Sequence, residues 1–308
     1  MHEIWPNFFL VGAAKAGTTS LYAYLSQHPD VFFPAVKEPH FFTQVRPSAD
    51  QRFFIEAITK RSAYLRLFAG ARGHAVIGDA SPSYLWHEEA PVRIRETVPH
   101  ARIAMILRDP LERAYSHYLM DYREGVQHRT FYDALVEDMR RPDRGWGVSY
   151  LYYELGLYFE QVRRYLDTFR PERVKIMLFD EFRSDVKAAL GDISRFLGLD
   201  PAPLESVDTS TTYNSYAAPR NQWMRRLAGA KFSRMIGQTI VPRSVGAFIF
   251  QRMFLKNAQK PPLDGRARDL LCSLYEPDLD RLERLLGRSL PELRKSWKPN
   301  TAGVAINA

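Results

Sequence analysis

A chain of 308 residues, 45% of them hydrophobic and 17 of them glycine, is long enough to bury a large core and too apolar for a disordered one. Its 43 Lys+Arg against 35 Asp+Glu leave a net charge of +8, which suits an anionic ligand; the arginines are scattered rather than massed in one tract, so no nucleic-acid partner is expected. The single cysteine, Cys272, excludes an intrachain disulfide, no Cys/His cluster has metal-ligand spacing, and no run approaches the ~20 apolar residues of a membrane span, so the expectation is one cytoplasmic domain over 1–308 with no membrane span.

The run Phe8 to Val11 is short and apolar and stops at Gly12, and from Thr18 onward Leu21, Tyr22 and Leu25 share a helical face. That pattern predicts strand, loop, helix. Gly12 and Gly17 keep the spacing of a Walker A loop, G-x-x-x-x-G-K-[ST], but Thr18 stands where its lysine belongs and the only lysine is Lys15. A glycine-bearing turn before a helix aims backbone N–H groups at one spot, with the positive end of the helix dipole behind them. Gly17 lets the backbone approach an anion, Thr18, Thr19 and Ser20 add hydroxyls, and Lys15 adds charge. The bland alternative is a tight turn whose threonines only cap the helix.

Further buried strands are expected at Ala75 to Ile77, Ile103 to Leu107 and Val174 to Phe179, with helices at Phe131 to Met139 and Tyr152 to Phe169. The second helix is given an apolar face through Leu155, Phe159, Val162, Leu166 and Phe169. The stretch from Asp208 to Pro262 reads as mixed, loop-like chain, and a last helix over Leu270 to Leu286 ends at Gly287. Strands alternating with helices imply an α/β fold, a P-loop-like central parallel sheet flanked by helices on both faces, with ligands at the carboxyl ends of the strands.

Three further residue groups carry chemistry. Arg108 follows the strand Ile103 to Leu107 and Ser116 comes eight residues later, a guanidinium fork and a hydroxyl suited to a phosphate; an ion pair of Arg108 with Asp109 or Glu112 is the alternative. "KEPHFF" supplies Glu38 and His40, either of which could take a proton from an acceptor; a Lys37–Glu38 ion pair and a hydrogen-bonded loop histidine are the alternatives. Asp79 in "VIGDASPSYL" has the place of a Walker B carboxylate, which keeps a P-loop kinase or NTPase using ATP and Mg²⁺ as the second enzyme class. The displaced lysine favours sulfuryl over phosphoryl transfer, because a sulfuryl group carries less charge and can be moved by lysine and hydrogen bonds without a metal.

The stretches "KAGTTSLYAYLSQHPDVFF", "KEPHFF" and "LRDPLERAYSHY" resemble the PAPS-dependent sulfotransferases, most closely the carbohydrate and heparan-sulfate branch and its bacterial relatives. The resemblance implies that Lys15, Ala16, Gly17, Thr18, Thr19 and Ser20 hold the 5′-phosphosulfate of PAPS, with Lys15 neutralising the leaving group. It further implies that Arg108 and Ser116 hold the 3′-phosphate, that Glu38 is the general base with His40 in support, and that the product is 3′,5′-ADP (PAP). Lys256 and Asn257, with Lys260 behind them, match a basic loop that covers the nucleotide in the family. Glycosaminoglycan-modifying members carry a lysine two residues before the proline of "DASPSYLW", where this chain has Ala80. The acceptor expected is a hydroxyl on a glycan, a lipid or a small molecule.

Overall fold

The computed structural model describes residues 3–44, 57–147, 149–209, 217–219, 255–257 and 261–297. Apolar runs, buried in the centre and half-buried at the edges, form a parallel sheet in the order β2-β3-β1-β4-β5: β1 (Phe8–Gly12), β2 (Val31–Phe32), β3 (Val76–Ala80), β4 (Arg102–Leu107) and β5 (Val174–Leu178). Between them run helices α1 (Thr18–Leu25), α2 (Arg61–Arg66), α3 (Ser83–Trp86), α4 (Ala90–Thr97), α5 (Pro110–Arg123), α6 (Phe131–Arg140) and α7 (Tyr158–Thr168). After β5 come α8 (Phe179–Ser184), α9 (Val186–Leu197), α10 (Ala202–Glu205) and α11 (Gly265–Leu286). Helices α1 and α9 pack together in one layer and α3, α4 and α7 in another, around a core that includes Phe9, Leu10, Tyr84, Ile106 and Tyr165. This is the flanked parallel sheet that the alternation of elements predicts.

The departures from expectation have local causes. Strand β3 runs on to Ala80 rather than ending at Ile77, because Gly78 accommodates the Phe33 ring and the buried Asp79 is satisfied by hydroxyls. Helix α7 begins at Tyr158, not Tyr152. The carboxylate of Asp138 accepts the N–H groups of Tyr150 and Tyr152 at 3.0 Å each, Arg113 donates to the Tyr152 carbonyl, and a 3₁₀ turn over Glu154–Gly156 follows. Side chains thus hold this segment as a loop despite its helical periodicity. Helix α11 starts five residues before Leu270, where the Asp264 carboxylate accepts the Arg266 N–H at 2.8 Å, and it closes at Gly287 (φ 63) as expected.

A second, antiparallel pair joins β6 (Ala217–Pro219) to β7 (Leu255–Asn257), with Lys256 opposite Ala218. The side chains of Lys256 and Asn257, and Lys260 altogether, lie outside the described residues. No helix among the described residues is long and apolar enough to cross a membrane.

Candidate active site

The loop between β1 and α1 has the geometry of an anion cradle. Gly17 precedes α1 at φ 91, a left-handed conformation in which a side chain would also press on the Phe179 ring at 3.1 Å. No side chain caps the helix, and the N–H groups of Gly17, Thr18 and Thr19 have no acceptor among the described residues. The capping alternative for the threonines therefore fails. Lys15, itself at φ 67, directs its ammonium to α5, where Nζ lies 3.3 Å from Met120 Sδ. Burial, and after it the charge of Arg123, lowers its pKa to about 8.

Arg108 leaves the end of β4 toward the same loop. Its Nη1 donates to the Lys15 carbonyl at 2.9 Å and its Nη2 to Glu112 Oε2 at 3.2 Å, with the guanidinium 4.7 Å from the Phe179 ring centroid. The ion pair with Glu112 that the sequence offers as the alternative is present, and the other arm of the arginine joins it to the loop that carries Lys15. Asp109 has a different task, capping α5 through the N–H groups of Leu111 and Glu112 and accepting from Ser296. Ser116 is two turns into α5, partly exposed.

Glu38 and His40 occupy an irregular segment with φ of 61 and 54. Lys37 forms an ion pair with Glu38, and His40 Nε2 is 3.9 Å from Glu38 Oε2. Burial alone would raise the Glu38 pKa, but Lys37, His40 and Lys15 outweigh it and hold it below the usual carboxylate value. The structure thus brings Lys15 and Glu38 within electrostatic reach of each other. His40 is buried, with Nδ1 2.7 Å from Ser83 Oγ and its backbone N–H donating to Ser81 Oγ at 3.3 Å. Burial lowers its pKa to about 4, so the ring is neutral near pH 7.

Asp79 does not resemble an open metal ligand. Hydroxyls of Tyr64, Ser81 and Tyr84 donate to it at 2.7, 2.7 and 2.8 Å, and all four side chains are fully buried. Desolvation raises its pKa to about 6 despite these donors. Ser81 and Tyr84 thus belong to a core network.

Sequence reasoning missed the far end of α5. His117, Met120, Asp121, Arg123 and Glu124 all lie near Lys15. Helical spacing from Ser116 carries the signal, since positions four, seven and eight residues on share its face. A separate cavity of about 790 Å³, bounded among others by Trp86, Arg144, Arg164 and Arg281, has none of the loop residues in its wall.

With this geometry in view, a model described as "Sulfotransferase family" matches residues 6–203, and the chain belongs to that family. The matched span includes Lys15, Glu38, Arg108 and Ser116. The chain is 31% identical to the sulfotransferase from Alicyclobacillus acidocaldarius, whose crystal structure superposes with a TM-score of 0.71 over 94% of this chain and 99% of that one. It is 26% identical, over 303 residues, to the human bifunctional heparan sulfate N-deacetylase/N-sulfotransferase 3, covering 95% of this chain and 31% of that protein. To human carbohydrate sulfotransferase 15 it is 26% identical over 253 residues, 64% of this chain and 44% of that protein. The chain therefore spans about a third of the first of these curated relatives and under half of the second.

Proposed function

We propose that this chain transfers the sulfuryl group of PAPS to an acceptor hydroxyl, without a metal, releasing PAP. The observation that carries this reading is the hydrogen bond from Arg108 Nη1 to the Lys15 carbonyl, which joins two anion-binding groups 93 residues apart in sequence. The donor set fits such a cofactor. The N–H groups of Gly17, Thr18 and Thr19, without an acceptor among the described residues, and the Lys15 ammonium suit a phosphosulfate, and the Arg108 fork with the Ser116 hydroxyl suits a further phosphate. Bound PAPS would supply an activated sulfuryl group on a phosphate leaving group.

The chain's own residues do the rest. Lys15 places a positive charge where negative charge develops on the leaving oxygen. Glu38, kept ionised by Lys37, accepts the acceptor's proton, with neutral His40, anchored on Ser83, beside that carboxylate. The names of the curated relatives favour a carbohydrate acceptor over a lipid or other small molecule. An ATP–Mg²⁺ kinase is disfavoured by Thr18 in the Walker lysine position and by the three hydroxyls that enclose Asp79.

The test is transfer of labelled sulfate from PAPS to a panel of glycans and small hydroxylated acceptors in the presence of EDTA. Transfer to a hydroxyl supports the reading; transfer only to amino groups removes the hydroxyl assignment, and phosphorylation from ATP–Mg²⁺ replaces the donor.

A further inference from the structure

The residues of "DASPSYLW" have no task in the donor reading, yet their hydroxyls support the segment that carries Glu38 and His40. Ser81 Oγ accepts the backbone N–H of His40 at 3.3 Å, the Tyr84 hydroxyl accepts that of Phe42 at 3.5 Å, and Ser83 Oγ lies 2.7 Å from His40 Nδ1. Behind them the buried Asp79 accepts from Ser81 on Oδ1 and from Tyr64 and Tyr84 on Oδ2. An ionised carboxylate only accepts, and each hydroxyl has one proton to donate. With that proton directed to Asp79, Ser81 and Tyr84 face the segment as acceptors, which is what two backbone N–H groups require.

The segment needs such support. Glu38 and His40 are not glycines, and their φ of 61 and 54 is a left-handed conformation that persists only where the surroundings impose it. The carbonyls of the segment are held as well: that of Pro39 accepts the Ile58 N–H at 2.9 Å, that of His40 the Thr43 hydroxyl at 2.8 Å, and that of Phe42 an Arg93 N–H at 3.2 Å. The two contacts that act on its N–H groups both trace back to one carboxylate, Asp79.

We propose that Asp79 is a positioning residue for the proton-accepting segment: by fixing the direction of the Ser81 and Tyr84 hydroxyls it sets the backbone at His40 and Phe42, and with it the place of the Glu38 carboxylate. Asp79 itself meets no reacting atom, and no bond forms or breaks at it. The inference rests on the reading of Glu38 as the base. Asp79→Asn keeps the size of the side chain but turns one acceptor oxygen into an N–H donor, so one hydroxyl must redirect its proton and gives up its hold on the segment.

The experiment measures kcat for sulfuryl transfer, PAP affinity, melting temperature and, by NMR, hydrogen exchange of the His40 and Phe42 amides. The variants are Asp79→Asn, Ser81→Ala, Tyr84→Phe, the double change Asp79→Asn/Ser81→Ala, and Tyr64→Phe. Asp79→Asn and Ser81→Ala are expected to lower kcat by roughly 10–100-fold, the range for a misplaced group, with PAP affinity unchanged and faster exchange at His40. The double variant is expected to be no slower than the slower single one, because both act through the same contact. Tyr64→Phe removes a donor to the same carboxylate but no acceptor from the segment, so it should lower the melting temperature with a much smaller loss of kcat. Should Asp79→Asn fail to fold, Ser81→Ala and Tyr84→Phe set against Tyr64→Phe decide the matter. Equal losses of kcat in Ser81→Ala and Tyr64→Phe at equal losses of melting temperature overturn the proposal, as do unchanged kcat and amide exchange in Asp79→Asn. Wild-type turnover by Glu38→Gln overturns the base reading, and this inference with it.

Discussion

The two halves of the candidate site are built by different means. The donor half is mostly backbone: the end of a buried strand, a left-handed glycine and the open first turn of α1, with Arg108 tying the next strand end to the loop. The acceptor half is single side chains on irregular chain, where Glu38 and His40 both have positive φ and depend on Lys37 and Ser83 for their state. In the proposed reaction several donors share the anion in the first half, whereas one carboxylate carries the proton in the second. The arrangement teaches that binding should survive single changes better than turnover does.

Substitutions can break or sharpen that contrast. The largest effect is expected for Glu38→Gln, which should lower kcat by roughly 10²–10⁴-fold while PAP affinity stays near wild type. A matching loss of PAP affinity would place Glu38 in the donor half instead. Lys15→Ala should cost roughly 10²–10³-fold in kcat, the range for removing one preorganised charge-stabilising group. Because the free-protein pKa of Lys15 is lowered to about 8, wild-type kcat/KM for PAPS should decline as pH rises through that value; a profile flat to pH 10 would contradict the role. Arg108→Ala should weaken PAP by roughly 10–100-fold, the value of one or two charged hydrogen bonds, and ADP far less; equal weakening of both nucleotides would refute the 3′-phosphate assignment.

The smallest effect concerns stability. Asp79 has a folded pKa raised to about 6 from 3.8, so between those values the folded state holds more proton than the unfolded one. Its contribution is present at low pH and declines as pH rises through this window. The melting temperature of wild type relative to Asp79→Asn should therefore fall from pH 4 to pH 7, and a constant difference would count against the buried network as described.

The donor half was legible because its determinants are local. Gly12, Gly17, the hydroxyl run and the apolar strand before them encode a turn within a dozen residues, and Arg108 is marked by the strand it ends. The two-residue strand β2 is too short for any periodicity to reveal. The loop before α7 reads as helix until Asp138 is seen to hold the N–H groups of Tyr150 and Tyr152 across 12 and 14 residues. The contact that anchors His40 in the acceptor half spans 43 residues to Ser83, and no spacing rule reveals it. Glu38 and His40 could be named from their motif, but that His40 is neutral follows only from its burial.

Thermal stabilisation by PAP compared with ADP and ATP bears most directly on the central claim. A ligand that binds only the folded state raises stability by about 2.7 kcal/mol at a hundredfold excess over its Kd. The account predicts that PAP raises the melting temperature in EDTA, and more than ADP does at equal concentration. Stabilisation by ATP that requires Mg²⁺, with PAP no better than ADP, would contradict it.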